Sequence, residues 1–195
     1  MYISDLTSDQ LLRGRTVAIL ATDGFEQVEL EEPRRAFERA GARTLVIAPK
    51  AGTIRGYHHH DKGDEIIVDE TLENVDPKEF DGLLLPGGTL NADALRAVPR
   101  AVEFVRQFAT TGRTIAAICH APWALVEADV VRGRKLTSWP SIKTDLINAG
   151  AVWVDDEVVV DHGLVTSRKP EDIPAFVERA IAEMASYRES HPASE

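Results

Sequence analysis

Short apolar and β-branched runs recur along the chain between longer segments whose apolar residues return every three or four positions. The runs Val17–Leu20, Leu45–Ala48, Leu83–Leu85, Ile115–Ile118, Val158–Val160 and Leu164–Thr166 predict strands. Their continuous apolar character predicts burial on both faces. After Pro99, suited to a first helical turn, Val102, Phe104, Val105, Phe108 and Ala109 share one side of a helix that Gly112 is placed to stop. Ile173, Phe176, Val177, Ala180, Ile181 and Met184 trace the clearest amphipathic helix, with Asp172 as its N-cap. The segment Glu26–Ala40 reads as a helix despite Pro33. Its acids Glu26, Glu29, Glu31 and Glu32 crowd the start and Arg34, Arg35 and Arg39 the end, as a helix dipole prefers, with Gly41 as its cap. The polar stretch Ala51–Gly63 predicts a surface loop or a small hairpin. Strands spaced by helices predict an α/β fold, a mostly parallel central sheet sandwiched between helices. No repeat, low-complexity tract or linker divides the chain, so residues 1–195 are expected to form one domain. Its core should run from about 16 to 184, with a frayed tail from Ser186 to Glu195.

The 195 residues are 44% hydrophobic and 28% charged, which removes disordered and fibrous classes. A formal net charge of −10 repels phosphate backbones and anionic lipid, so neither nucleic acid nor a membrane surface is the expected partner. No apolar run reaches the roughly 18–20 residues that span a bilayer. The opening MYISDLTSDQ has no apolar stretch and does not read as a signal peptide. Cys119 is the single cysteine, which excludes an intrachain disulfide and a multi-cysteine metal cluster and suits a reducing, cytoplasmic setting.

The candidate chemistry gathers at the same sheet edge. A strand ends at Ile118 and Pro122 is placed to open a helix, so Cys119 lies in a sharp strand-to-helix turn, a nucleophile elbow with sulfur for oxygen. A helix N-terminus beside it lowers a thiol pKa, and the adjacent imidazole of His120 offers proton transfer. A buried, inert small hydrophobe is the alternative reading of the same cysteine. The first strand runs into Thr22-Asp23-Gly24-Phe25-Glu26, which brings a carboxyl to that edge. Glu26 reads either as a proton donor to sulfur or as a first-turn acid on its own helix. Leu85-Pro86-Gly87-Gly88 ends another strand, and the Gly88 N–H is a candidate oxyanion donor or part of a plain turn.

Taken in order, these stretches resemble the PfpI branch of the ThiJ/PfpI superfamily. The resemblance is carried by Asp23-Gly24-Phe25-Glu26-Gln27-Val28-Glu29-Leu30, Leu84-Leu85-Pro86-Gly87-Gly88 and Ala117-Ile118-Cys119-His120-Ala121-Pro122. It continues through Gly133-Arg134-Lys135-Leu136-Thr137-Ser138, Asp145–Gly150 and Val165–Pro170. It implies a flavodoxin-like three-layer sandwich, a nucleophilic Cys119, Glu26 as the carboxyl hydrogen-bonded to the sulfur, and His120 as its catalytic neighbour. It implies a further acid supplied by a neighbouring subunit to orient the histidine. Asp93 matches that acid, although it also reads as the cap of a helix beginning near Ala94. The partners implied are a second copy of the chain, in a homodimer or larger homo-oligomer, and a small carbonyl or protein-adduct substrate.

His58, His59 and His60 in a row cannot all face one ion, because successive side chains diverge, so no metal is expected and a solvated loop at the pocket rim is preferred. The resemblance gives His60, Gly63 and Asp64 a pocket- or interface-lining place. Neither GxGxxG nor a phosphate-binding GxxxxGK[ST] occurs, so no cofactor is expected. A glutamine amidotransferase would want a His-x-Glu after Cys119, and none is present. The reading is a cysteine-dependent hydrolase acting on carbonyl substrates, as a deglycase, glyoxalase or peptidase in stress protection. The alternative is a redox-responsive stress protein whose thiol is oxidised without turnover.

Overall fold

The computed structural model describes residues 10–190. Residues 1–9, most of the opening read as lacking a signal, and residues 191–195 of the expected tail lie outside it. The chain begins with strand β1 (Thr16–Leu20), a two-residue β2 (Phe25–Glu26) and helix α1 (Gln27–Arg39). Strand β3 (Arg43–Ala48) returns beside β1, and a hairpin of β4 (Thr53–His58) and β5 (Asp61–Ile67) follows. The short β6 (Glu70–Thr71) precedes β7 (Gly82–Leu85), α2 (Thr89–Arg96) and α3 (Pro99–Thr110). Next come β8 (Thr114–Ile118), α4 (Pro122–Glu127), β9 (Lys135–Leu136), α5 (Lys143–Asn148) and β10 (Val152–Trp153). The hairpin β11 (Val158–Asp161) and β12 (Leu164–Ser167) leads into α6 (Ile173–Ser190).

Seven strands form the central sheet in the order β11-β12-β8-β7-β1-β3-β6, all parallel except β11. Alternation along each strand feeds two cores. Val17, Ile19, Ala116 and Ile118 face α1 and α6, where Phe37 and Phe176 are fully buried. Ala18, Leu20, Ile115 and Ala117 face the opposite layer, where Phe104 and Phe108 of α3 and Leu125 of α4 pack. The resulting α/β sandwich is the architecture expected from the sequence. From β1 the sheet grows toward β3 on one side and β7 on the other, and the helices that follow β1 and β7 cover opposite faces. A crevice opens at the carboxyl ends of strands where the winding reverses in this way.

The local expectations are met at some points and changed at others. Helix α1 runs through Pro33, which is buried on the core side. Asp172 does not cap α6 with its side chain; its carboxylate takes the Arg168 backbone N–H at 3.1 Å and Nε at 2.9 Å. Helix α6 continues to Ser190, past the point where fraying was expected, because its inward residues through Met184 stay on the sheet. Helix α2 starts at Thr89 after Gly88, so Asp93 sits in its middle and caps nothing. Ala51–Gly63 is a hairpin, the second of the two forms expected for it.

Candidate active site

Cys119 stands directly after β8 with φ of +64°, a left-handed conformation that is strained for a residue with a β-carbon. Three backbone hydrogen bonds hold it there. Its N–H donates to Ser167 O at 3.0 Å, its carbonyl accepts the Trp139 N–H at 2.9 Å, and the Ala121 N–H closes on Ile118 O at 3.1 Å. A turn over-determined in this way is what keeps such strain in a folded chain. The side chain is only 7% exposed, yet it forms part of the wall of a cavity of about 530 Å³. The backbone N–H groups of Gly88 and His120 both point at the sulfur and favour its anionic form.

The carboxyl beside the sulfur is Glu29, which corrects the expectation that Glu26 fills this place. One turn into α1, Glu29 lies on the same buried stripe as Leu30, Pro33 and Phe37, and its side chain is fully buried. Neither of its oxygens makes a hydrogen bond of standard geometry, and the Cys119 thiol and the Gly87 N–H are the polar groups nearest them. Gly87 is required at this point. A Cβ there would stand 2.1 Å from Glu29 Oε2 and 2.6 Å from Cys119 Cβ.

Burial, reinforced by the charge of Glu26, raises the Glu29 pKa from 4.5 to about 8, so this carboxyl carries a proton at neutral pH. Burial also pushes the Cys119 thiol up, and an ionised Glu29 would push it further, against the pull of the two N–H groups. Loss of water thus works against the thiolate expected from its place before a helix, and the two N–H dipoles work for it. A protonated Glu29 removes the repulsion and has an O–H to donate to sulfur, so a neutral carboxyl favours the anion.

His120 places Nδ1 3.2 Å from Cys119 Sγ. Its Nε2 lies 3.4 Å from both Thr89 Oγ1 and Ser141 Oγ, and its ring stacks on Trp139 with centroids 5.9 Å apart. Burial lowers its pKa, leaving a neutral imidazole able to accept a proton. Across the cavity, Glu26 accepts the His59 N–H at 3.1 Å and so ties the β4–β5 hairpin to the rim. His59 and His60 line the opening, whereas Gly63 and Asp64 face Gln27, whose Oε1 accepts the Asp64 N–H at 2.8 Å.

A profile of the DJ-1/PfpI family matches residues 15–183. The chain belongs to the DJ-1/PfpI family. It is 45% identical over 170 residues to the protein/nucleic acid deglycase 2 of Escherichia coli (strain K12), covering 86% of this chain and 96% of that one. It is 42% identical over 163 residues to the putative cysteine protease YraA of Bacillus subtilis (strain 168), covering 83% and 94%. Its fold superposes on the crystal structure of Drosophila melanogaster DJ-1beta with a TM-score of 0.80 at 31% identity, covering 88% of this chain and 90% of that one.

Within this DJ-1/PfpI chain, Cys119, His120 and Gly88 come together as expected, and Glu26 moves from the sulfur to the rim. Asp93 is exposed on α2, outside the residues that line the cavity, and within one chain the His120 ring nitrogens meet Cys119, Thr89 and Ser141 instead. Sequence reasoning missed Glu29, Thr89, Trp139 and Ser141. Only Glu29 carried a signal: it is the one acid of its helix on the buried stripe, at position 29 of the series 29, 30, 33, 36, 37. Among the described residues no helix is long and apolar enough to cross a membrane.

Proposed function

We propose that this chain is an enzyme of the deglycase or glyoxalase kind that acts on carbonyl compounds, with Cys119 as nucleophile and His120 as its proton-transfer partner. The observation that carries this reading is the Cys119 Sγ to His120 Nδ1 contact of 3.2 Å at a cavity wall where two backbone N–H groups converge on the sulfur. The similarity to a deglycase and to a putative cysteine protease supports the same class.

As Sγ bonds to a carbonyl carbon, the thiol proton passes to Nδ1 and the carbonyl π pair moves onto oxygen, where the Gly88 and His120 N–H groups receive it. Protonated Glu29 stabilises whatever negative charge remains on sulfur. With a ketoaldehyde the adduct is a hemithioacetal. Once the proton held on Nδ1 has gone to that oxygen, the carbon-bound proton passes to the neighbouring carbonyl carbon and the hydroxyl proton to that carbonyl's oxygen, through an enediol. The product is a thioester, which water cleaves to a hydroxy acid and the free thiol. Thr89 and Ser141 fix the imidazole plane from the far side. In a homo-oligomer Asp93 of a second copy would add a carboxylate to that side.

The test is consumption of methylglyoxal by the wild type, Cys119→Ala and His120→Ala. Turnover lost by at least about a thousandfold in Cys119→Ala, and by a hundredfold or more in His120→Ala, is the expected result. A wild type inert to aldehydes, glycated amines and peptides, but oxidised stoichiometrically at Cys119 by peroxide, would overturn the enzymatic reading in favour of a redox-responsive protein.

A further inference from the structure

Glu26, displaced from the sulfur, is left without a part in the chemistry, yet it is firmly placed. Its N–H donates to Gly87 O at 3.2 Å, and its Oε2 accepts the His59 N–H at 3.1 Å. It is therefore anchored both to the turn that carries Gly88 and to the histidine hairpin. Its side chain is only 12% exposed and lines the cavity that reaches Cys119. Its Oε1 makes no hydrogen bond among the described residues.

Apart from histidines, the cavity lining offers no cationic side chain beside this carboxylate among the described residues. No lysine or arginine lines it among the described residues, and the other carboxyl, Glu29, is protonated at neutral pH. The His59 ring is 78% exposed at the edge of the opening, with Nδ1 3.9 Å from Glu26 Oε2. A mostly buried carboxylate fixed on the cavity wall acts on a passing charge far more strongly than the diffuse surface charge of −10, which salt screens within about 10 Å.

We propose that Glu26 sorts substrates by charge, admitting neutral or cationic carbonyl compounds, such as adducts that keep an ammonium or guanidinium group, and turning away anionic ones. The inference rests on the reading of Cys119 as the reacting thiol. It assigns Glu26 to specificity and gives it no role in bond making.

Alkylation tests it without requiring turnover, because Cys119 is the single cysteine. Iodoacetamide and iodoacetate form the same S–C bond with loss of iodide and differ by one negative charge. The ratio of their rates is compared with that of N-acetylcysteine amide at the same pH and at high salt, where long-range repulsion is screened. In the wild type the ratio should exceed the reference by about tenfold, and in Glu26→Gln it should fall to within about threefold of it. Glu26→Asp, which keeps the charge and changes the reach, should retain most of the discrimination. A wild-type ratio equal to the reference, or one left unchanged by Glu26→Gln, overturns the proposal. A thiol that neither reagent labels overturns it together with the proposed function. Discrimination without turnover of any carbonyl compound strikes the proposed function alone.

Discussion

Glu26 and Glu29 stand three residues apart at the start of one helix, at the rim and the floor of the same cavity, and the fold makes different groups of them. Glu26 lines the cavity with its carboxylate bonded to the His59 N–H of the hairpin. Glu29 is cut off from water against the thiol, and burial raises its pKa to about 8. Identical chemistry three positions apart thus yields an electrostatic filter and a proton donor. The difference lies in what the rest of the chain packs on each: the β4–β5 hairpin on one, the Gly87 turn and Cys119 elbow on the other.

This contrast predicts that changes at the floor cost far more than changes at the rim. Glu29→Leu should depress turnover of methylglyoxal by at least about a hundredfold, because the thiolate loses its neutral donor, whereas Glu26→Leu should cost a neutral substrate less than about tenfold. Equal losses in kcat for the two variants would erase the distinction. Gly87→Ala should be the most damaging small change to stability, at about 2–4 kcal/mol, since the neighbours of the new Cβ are a packed carboxyl and the strained elbow. Thermal unfolding of that variant reads it directly.

The protonation states can be separated by pH. Folded Glu29 holds its proton up to about pH 8, while the unfolded chain releases it near 4.5. Between those values the native state binds more protons, so its contribution to stability is full below about 4.5 and is lost as pH rises through about 8. The wild-type Tm should therefore decline over that window relative to Glu29→Gln. A Tm difference that does not change with pH would place the proton elsewhere. The smallest effect is expected from Thr89→Val, which removes one hydroxyl 3.4 Å from His120 Nε2 and should lower kcat by about three- to tenfold with little change in KM.

Much of this was legible in the residues. The apolar runs fall inside β1, β3, β7, β8, β11 and β12 because strands buried on two faces leave continuous apolar stretches that little else produces. Ile118-Cys119-His120-Ala121-Pro122 announced the elbow, since a buried strand stopped by a proline-opened helix leaves little choice about where the cysteine sits. Two-residue strands such as β2 and β9, and the start of α2 at Thr89, were not legible, because their boundaries are set by pairing and by the positive φ of Gly88.

The choice between two glutamates shows where the boundary falls. By itself the sequence determined that an acid, a thiol and an imidazole reach the carboxyl edge of one parallel sheet, because strand order, hydrophobic period and turn residues are local or nearly so. Which acid touches sulfur, which way the shared proton lies, and that Thr89, Ser141 and Trp139 hold the imidazole were decided only by tertiary structure. Those outcomes depend on water excluded by segments as far apart as residues 24, 88, 119 and 139, and desolvation belongs to the assembled cavity rather than to any residue in it.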